Sequence, residues 1–413
     1  MAQKKVMILG GSRYAVPIVE AAHRLGVHVI TADYLPDNAA HRVSDEYCNV
    51  SVVDKEAVLS AARALKIDGI VSFACDPGVV SAAYVAEKMG LPFQGPYESV
   101  AILQDKGRFR QFLADHGFNA PRAKRYSDPA APLNDIAFFR WPVIVKPVDS
   151  AGSKGVSRVD TPRDLPTAID AARTASLCGD FIVEEFLEFD GCHSSTDPFS
   201  VAGELVFVTY SDQLFDKEAD NPYTPSQIIW PSTMLAEHQA ELTGETQRLL
   251  RLLGMATGIY NIETCVATDG KPYLMEVSPR GGGCKIAELQ HLAFGVDLIE
   301  CEVRHAVGLP LPEIRAHECD GYWCEYVLHA KEHGNFQRLE IDPDVRARYV
   351  KSIDLSVRPG DAVHPFTGAN MSLGDLFLRC NTRAELDDVL ARSDEWLSVE
   401  LQKGRSREWS QRT

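Results

Sequence analysis

The chain has 413 residues, 45% hydrophobic and 24% charged, with a formal net charge of −16. That length exceeds one compact core and predicts roughly two to four domains, while the negative charge repels polyanions and excludes nucleic acid as an expected partner. No stretch approaches the roughly 20 apolar residues of a membrane helix, and the opening "MAQKKVMILGG" has too short an apolar run for a secretory signal, so the sequence reads as cytoplasmic with no membrane partner.

The first hundred residues alternate short apolar runs at 6–9, 27–31 and 69–73 with helix-spaced patterns at 17–25 and 55–65. This predicts a small open α/β sheet. Gly10-Gly11-Ser12 after the first strand and Asp33 at the end of the second imitate a dinucleotide-binding unit. "GGSRYA" nevertheless has serine and alanine at its second and third required glycine places. A tight strand-to-helix turn, with Asp33 as a strand-end acid, is the expected reading.

After the break at Pro92, Gly95 and Pro96, a helix is predicted over 104–116, with Phe109, Phe112 and Leu113 on one face and Lys106 in its first turn. A lysine there opposes the helix dipole, which mildly favours a role beyond solvation. "WPVIVKPVDSAGSKGV" gives a buried strand at 143–145 ending near Lys146, then a polar loop over 149–155. Such a loop can fold over phosphates and present backbone N–H groups. The alternative is a surface hairpin with a solvated Lys146. "FIVEEFLEFDG" runs a strand into two acids; strand edges of this kind can hydrogen-bond a flat heterocycle while Phe186 and Leu187 cover its faces, or can simply meet a polar turn.

"NIETCVATDGKPYLMEV" places Asp269-Gly270 between two strand-like runs, a strong hairpin signal. A two-residue loop sets Cys265 against Leu274, Glu263 against Glu276 and Asn261 against Ser278. Two carboxylates roughly 4.5–5.5 Å apart would repel by about 3 kcal/mol at an effective dielectric near 20. A shared proton, a cation or splaying into water could relieve that. With no His or Cys beside them, these hard oxygens point to Mg²⁺, which takes one or two protein carboxylates and completes its shell with water and nucleotide phosphates. The ten cysteines are scattered, with Cys319 and Cys324 the closest pair and no second pair for a zinc site; reduced, mostly buried thiols are expected.

The ordered set Lys106, "VIVKP", "SAGSKG", "VEEFL", "NIE" and "MEVSPRGGG" resembles the ATP-grasp superfamily of carboxylate–amine ligases, including L-amino acid ligases and carbamoyl-phosphate synthase. The resemblance covers nearly the whole chain. It implies an α/β and α+β multidomain fold: a Rossmann-like pre-ATP-grasp domain over 1–100, a two-subdomain ATP-grasp fold over 101–310, and a small C-terminal α+β domain over 311–413. It also implies ATP as substrate, one or two Mg²⁺ ions (or Mn²⁺ in their place), small-molecule carboxylate and amine partners, and, since many relatives are dimers, a homodimer.

Residue by residue, the resemblance matches Lys106 and Lys146 to lysines on the phosphate and adenine side of the cleft. Ser150, Gly152, Ser153, Lys154 and Gly155 match the loop that closes over the β- and γ-phosphates, with Lys154 as a phosphate contact or a solvated loop lysine. Glu184, Glu185 and Leu187 match the adenine hinge, partly through main chain. Glu263 and Glu276 match the Mg²⁺ ligands, and Arg280 the cation that steadies the acyl-phosphate and tetrahedral species, with glycines 281–283 letting the backbone approach. Two positions depart from the family. Ser278 stands where asparagine is usual, so a water or Asn261 would fill the gap. Cys192-His193 replaces the usual glutamate after the hinge glycine, leaving His193 as a ribose contact or a surface histidine.

Beyond the core, a helix, a turn at Gly295 and a second helix are expected over 288–308, then a boundary at the Leu-Pro pairs 309–312. The tail carries a strand-like run at 322–328 and a helix opening at Thr382, with Glu385 completing a capping box. The segment 211–232 is expected to supply specificity loops. The leading function is an ADP-forming ligase joining a carboxylate to an amine through an acyl phosphate. A bicarbonate-activating carboxylase of the same superfamily and an NAD-linked oxidoreductase or binding module are the alternatives.

Overall fold

The computed structural model describes residues 3–150, 152, 154–189, 191, 193–216, 224–368 and 371–402. The chain forms two compact units, one of Met1–Asp212 with Ser232–Glu318 and one of Gln213–Pro231 with Cys319–Thr413.

The first unit opens with a parallel sheet in the order Glu46–Asn49, His28–Asp33, Lys5–Leu9, Gly69–Ser72. The other three strands are the apolar runs read from the sequence, while the half-exposed edge strand Glu46–Asn49 carries no such run and was not predicted. Helix Val16–Arg24 starts with Pro17 in its first turn, where a fixed φ suits the helix and a missing N–H costs nothing. Helix Lys55–Leu65 is capped by Asp54, which accepts from Ala57 N at 3.0 Å. Both bury the apolar faces that their spacing marked.

The helix expected over 104–116 is Lys106–Asp115, and it is preceded by a helix that was not predicted, Tyr97–Gln104. Asp105 between them has extended backbone (φ −101°, ψ 109°), and its carboxylate accepts from Arg108 N at 2.9 Å, so it ends one helix and caps the next. Lys106 therefore sits at the first helical position. An antiparallel sheet follows in the order Ala123–Tyr126, Phe181–Glu185, Val143–Pro147, Ser157–Val159.

A third sheet pairs Pro272–Ser278 with Asn261–Val266, and the latter with Ser194–Thr196. Its apolar face carries the cross-strand pair Ile262 and Val277. Both pack into one core with Val100 and Leu103 of the first helix and Phe109 and Leu113 of the second. Full burial of each such side chain contributes roughly 1.5–3 kcal/mol. Because neighbouring residues in a strand point to opposite faces, the packing of Ile262 and Val277 forces Glu263 and Glu276 to the other side.

Helices Ile286–Phe294 and Leu298–Ala306 flank Gly295, whose φ of +78° closes the first, as expected from the sequence. Glu302 on the second is buried; it accepts from Ile259 N at 3.1 Å and from the Gln94 amide. Burial pushes its carboxyl up to about 8, against an ordinary value of 4.5. The folded protein thus keeps a proton that the unfolded chain releases, so this stabilisation is complete below pH 4.5 and lost as pH rises through 8. Glu302→Gln is expected to gain stability over the native chain at pH 9, by up to about 5 kcal/mol, and little at pH 4.5. Urea midpoints at the two pH values check this. The glutamine amide could also satisfy Gln94 Oε1, which has no hydrogen-bond partner among the described residues.

The second unit is built on a five-stranded sheet, ordered Asp212–Phe215, Pro225–Trp230, Tyr322–His329, Ser372–Cys380, Val350–Leu355. The described part of the stretch expected to supply specificity loops, 211–216 and 224–232, is largely strand, and 217–223 lie outside the described residues. A smaller sheet orders Ala362–Val363, Gly334–Ile341 and Leu397–Gln402. Helix Arg383–Ala391 opens as predicted, with Thr382 accepting from Glu385 N at 3.2 Å. The nine described cysteines form no disulfide. Four are buried, four half-buried and Cys178 exposed, fewer buried than expected.

Candidate active site

The hairpin that carries the two acids reaches its register by a different route from the one counted on the sequence. Its loop has three residues, not two: Ala267 N donates to Lys271 O at 3.0 Å, and Gly270 takes φ +76°. That shifts the pairing by one, so Cys265 faces Tyr273, not Leu274. A bulge between Glu263 and Thr264 on one strand, opposite Met275 on the other, restores the count. Glu263 then pairs with Glu276 and Asn261 with Ser278, as expected.

Burial raises the Glu263 carboxyl above the usual range, and the Glu276 charge raises it further, opposed by Lys106, Lys146 and Arg280. Two acids on one face with three cations around them suit a hydrated divalent ion that also binds phosphate. Among the described residues no group of three or more His, Cys, Asp or Glu could hold a metal unaided. This donor set fits Mg²⁺ bound jointly with a nucleotide, and not a closed zinc-type cage.

Lys106 Nζ donates to Ser150 O at 2.9 Å and lies 3.8 Å from Glu276 Oε1, so it ties the start of the polar loop to the hairpin. Asp149 anchors the same loop from behind, accepting from Leu177 N and Cys178 N at 3.0 and 2.9 Å. Gly152 and Gly155 both have φ +68°. At Gly152 a side chain would meet nothing, whereas at Gly155 a Cβ would come within 2.6 Å of Ala175. Lys154 is exposed, and Ser153 and Cys192 lie outside the described residues.

Glu184 is a buried ion-pair hub: Lys146 Nζ is 2.5 Å from Oε1, and Arg110 Nε donates to Oε2 at 2.9 Å. Burial alone would raise its carboxyl, but Arg110 and Lys146 hold it down at about 2. Burial in turn lowers the Lys146 ammonium, although Glu184 opposes the shift. Glu185 accepts from Arg140 N at 3.0 Å. Both acids thus have their side chains committed to the protein. Leu187 belongs to a small apolar cluster with Phe189, Cys265, Tyr273 and Met275. His193 stands edge-on to Phe189 at 3.9 Å between ring centroids, and burial lowers it to about 4, so the imidazole is neutral at pH 7.

Arg280 donates from Nε and Nη2 to the two oxygens of Asp76 at 2.8 and 2.7 Å, and from Nη1 to Gly281 O at 3.1 Å. Ser278 Oγ donates to Asp76 Oδ1 at 2.8 Å and accepts from Gln104 Nε2 at 2.6 Å. Asp76, Gln104, Lys106, Asp149, Ser150 and Glu276 line a cavity of about 110 Å³. The glycines after Arg280 are fixed by packing as much as by access. A Cβ at Gly281 would lie 2.2 Å from the Phe73 ring, and one at Gly282 would lie 2.8 Å from Asn261 Nδ2, while Gly283 is open.

Sequence reasoning missed Asp76, Gln104, Arg110 and Asp197. Asp76 had a signal: it opens the helix after strand Gly69–Ser72, at the carboxyl edge of an open α/β sheet, where such folds bind ligands. Asp33 accepts from Gly11 N and Leu35 N, both at 3.0 Å, and from Asn38 Nδ2 at 3.1 Å, so it serves the strand-to-helix turn as expected.

The fold and site define a multidomain α/β enzyme with two antiparallel sheets beside an acid pair suited to a nucleotide and its metal. Residues 139–288 match the ATP-grasp domain, and residues 19–93 the ATP-grasp N-terminal domain. The chain is 29% identical over 337 residues to a formate-dependent phosphoribosylglycinamide formyltransferase of Synechococcus sp. (strain WH7803), covering 80% of this chain and 82% of that one. It is 26% identical over 314 residues to the enzyme of that name from Nitratidesulfovibrio vulgaris, covering 75% and 77%. Among solved structures it is similar to the L-amino acid ligase from Bacillus licheniformis, with TM-score 0.79, 20% identity and coverage of 97% and 99%. It also resembles phosphoribosylglycinamide synthetase from Anaerococcus prevotii, with TM-score 0.76, 18% identity and coverage of 97% and 100%. The chain belongs to the ATP-grasp superfamily, and its chemistry is of the ATP-dependent carboxylate–amine ligase type.

Proposed function

We propose that this chain activates a small carboxylate as an acyl phosphate with ATP and joins it to an amine, releasing ADP and phosphate. The observation that carries the reading is the register of Glu263 on Glu276, within reach of Lys106 and on the strand that leads into Arg280. Glu263 and Glu276 hold Mg²⁺, which when bound supplies charge neutralisation at the phosphates. Leu187, Phe189 and Met275 cover the adenine faces, and the loop at 150–155, tied to Lys106, closes over the phosphates and excludes water that would hydrolyse the intermediate.

A substrate carboxylate oxygen attacks the γ-phosphorus as the bond to the ADP oxygen breaks. The amine nitrogen then adds to the acyl carbon, the oxyanion is steadied by Arg280, and collapse expels phosphate and a proton to leave the amide. The relatives named as formate-dependent formyltransferases of phosphoribosylglycinamide favour formate as the acid and a glycinamide-type amine as the first pair to try. The test is release of ADP and phosphate across carboxylates that include formate, amino acids and bicarbonate, each with and without an amine panel. Stoichiometric ADP, phosphate and amide are expected. Formation of AMP and pyrophosphate would exclude the acyl-phosphate route, and turnover with bicarbonate but no other acid would assign the carboxylase alternative.

A further inference from the structure

Asp197 is fully buried and stands just beyond strand Ser194–Thr196, on the far side of Asn261 from Ser278. Its two oxygens accept from Asn261 Nδ2 at 2.9 Å and from Gly282 N at 2.7 Å. Burial raises the Asp197 carboxyl to about 7, opposed by the bonds from Gly282 N and Asn261 and by the Arg280 charge; in its ionised form it can only accept, so Nδ2 of the carboxamide lies on Asp197 and Oδ1 is the other branch. Asn261 and Glu263 are two apart on one strand and so share a face, across from Ser278 and Glu276. Ser278 Oγ gives its proton to Asp76 and accepts from Gln104, which leaves it a single lone pair on a side chain one atom shorter than that of Asn261 and held towards Asp76.

Resting on the proposed Mg·ATP site, we infer that Asp197 is a positioning residue. It orients Asn261 so that Oδ1 supplies a neutral oxygen for the metal–nucleotide complex. The contact to Gly282 N makes the same carboxylate an anchor for the glycine segment beside Arg280. A side chain at Gly282 would strike both Asn261 Nδ2, at 2.8 Å, and Asp197 Oδ1, at 2.9 Å, so glycine is required for the pair to form.

The test is Mn²⁺ binding by electron paramagnetic resonance, with a non-hydrolysable ATP analogue present, on the native chain and on Asp197→Asn, Asn261→Ala and the swap Asp197→Asn/Asn261→Asp. In the swap, the new asparagine can accept from Gly282 N and donate to the new aspartate, so the pairing is rebuilt with donor and acceptor exchanged. Each single variant is expected to weaken Mn²⁺ at least tenfold while metal-free nucleotide affinity stays within twofold, and the swap to recover most of the loss. Native-like Mn²⁺ affinity in Asn261→Ala overturns the inference, as does a swap no better than Asp197→Asn. If Asp197→Asn does not fold, Asn261→Ala and the swap decide alone. Failure of the native chain to bind Mn²⁺ with the analogue would instead sink the two-carboxylate site itself, a result the variants cannot imitate.

Discussion

Replacing Glu263 by glutamine is expected to raise the melting temperature of the metal-free protein while lowering ligase turnover at least about 10²-fold. The two effects share one cause. Glu263 and Glu276 are directly opposed across the hairpin, and burial and the Glu276 charge already raise the Glu263 carboxyl. In the absence of metal the fold carries this repulsion, of which Lys106, 3.8 Å from Glu276, screens a part. Glutamine removes one charge at nearly constant volume, for a gain of about 1–3 kcal/mol. With Mg²⁺ and a non-hydrolysable nucleotide the order should reverse. Ligand at 100 times its Kd adds about 2.7 kcal/mol to the native protein, and the variant, lacking one ligand, gains much less. Melting curves in EDTA and in Mg²⁺ with nucleotide should therefore cross over between the two proteins. A variant less stable than the native chain in EDTA would mean that the acids do not oppose each other in solution.

The acid pair was legible because the facts that specify it are local: a turn dipeptide, two strand-like runs and a period of two. The route was not, because a three-residue loop and a bulge each shift the count by one, and only their sum returns Glu263 to Glu276. The break at Asp105 was equally local and could have been read, since an aspartate before a basic helical run is an ordinary N-cap. Asp76 is different. It meets Arg280 across 204 residues of sequence, and no spacing within either segment records that contact. The same holds for strand Pro225–Trp230, whose partner Tyr322–His329 lies about a hundred residues on. The side-chain partners of Glu184 were not legible for a related reason. The strand pattern gave its place, but the cations that claim its side chain come from Arg110 on a helix and Lys146 on the neighbouring strand.

Breaking the Asp76–Arg280 pair is the second large expected effect, and its two halves should behave differently. Burial alone would raise the Asp76 carboxyl, yet Arg280 and Ser278 hold it below the usual range; Arg280 is raised in return. The folded value of Asp76 is thus depressed, so the pair's stabilisation is present above the ordinary 3.8 and is lost as pH falls through the lower folded value. Asp76→Ala leaves a guanidinium whose side chain is only 9% exposed without its partner, and should cost about 3–5 kcal/mol. Arg280→Lys keeps a charge but not the fork that meets both Asp76 oxygens and Gly281 O. It should therefore spare much of the stability while lowering kcat about 10²–10³-fold, because the planar donors are lost where the oxyanion develops. An Asp76→Leu/Arg280→Met double variant should regain stability over Asp76→Ala, since a buried pair replaced by apolar groups leaves no unpaired charge, and should remain inactive. Urea midpoints for all three variants, with ADP release measured on the best acid and amine, separate the roles. If Arg280→Lys turned over at the native rate, Arg280 would be a structural partner of Asp76 and the oxyanion would need another donor.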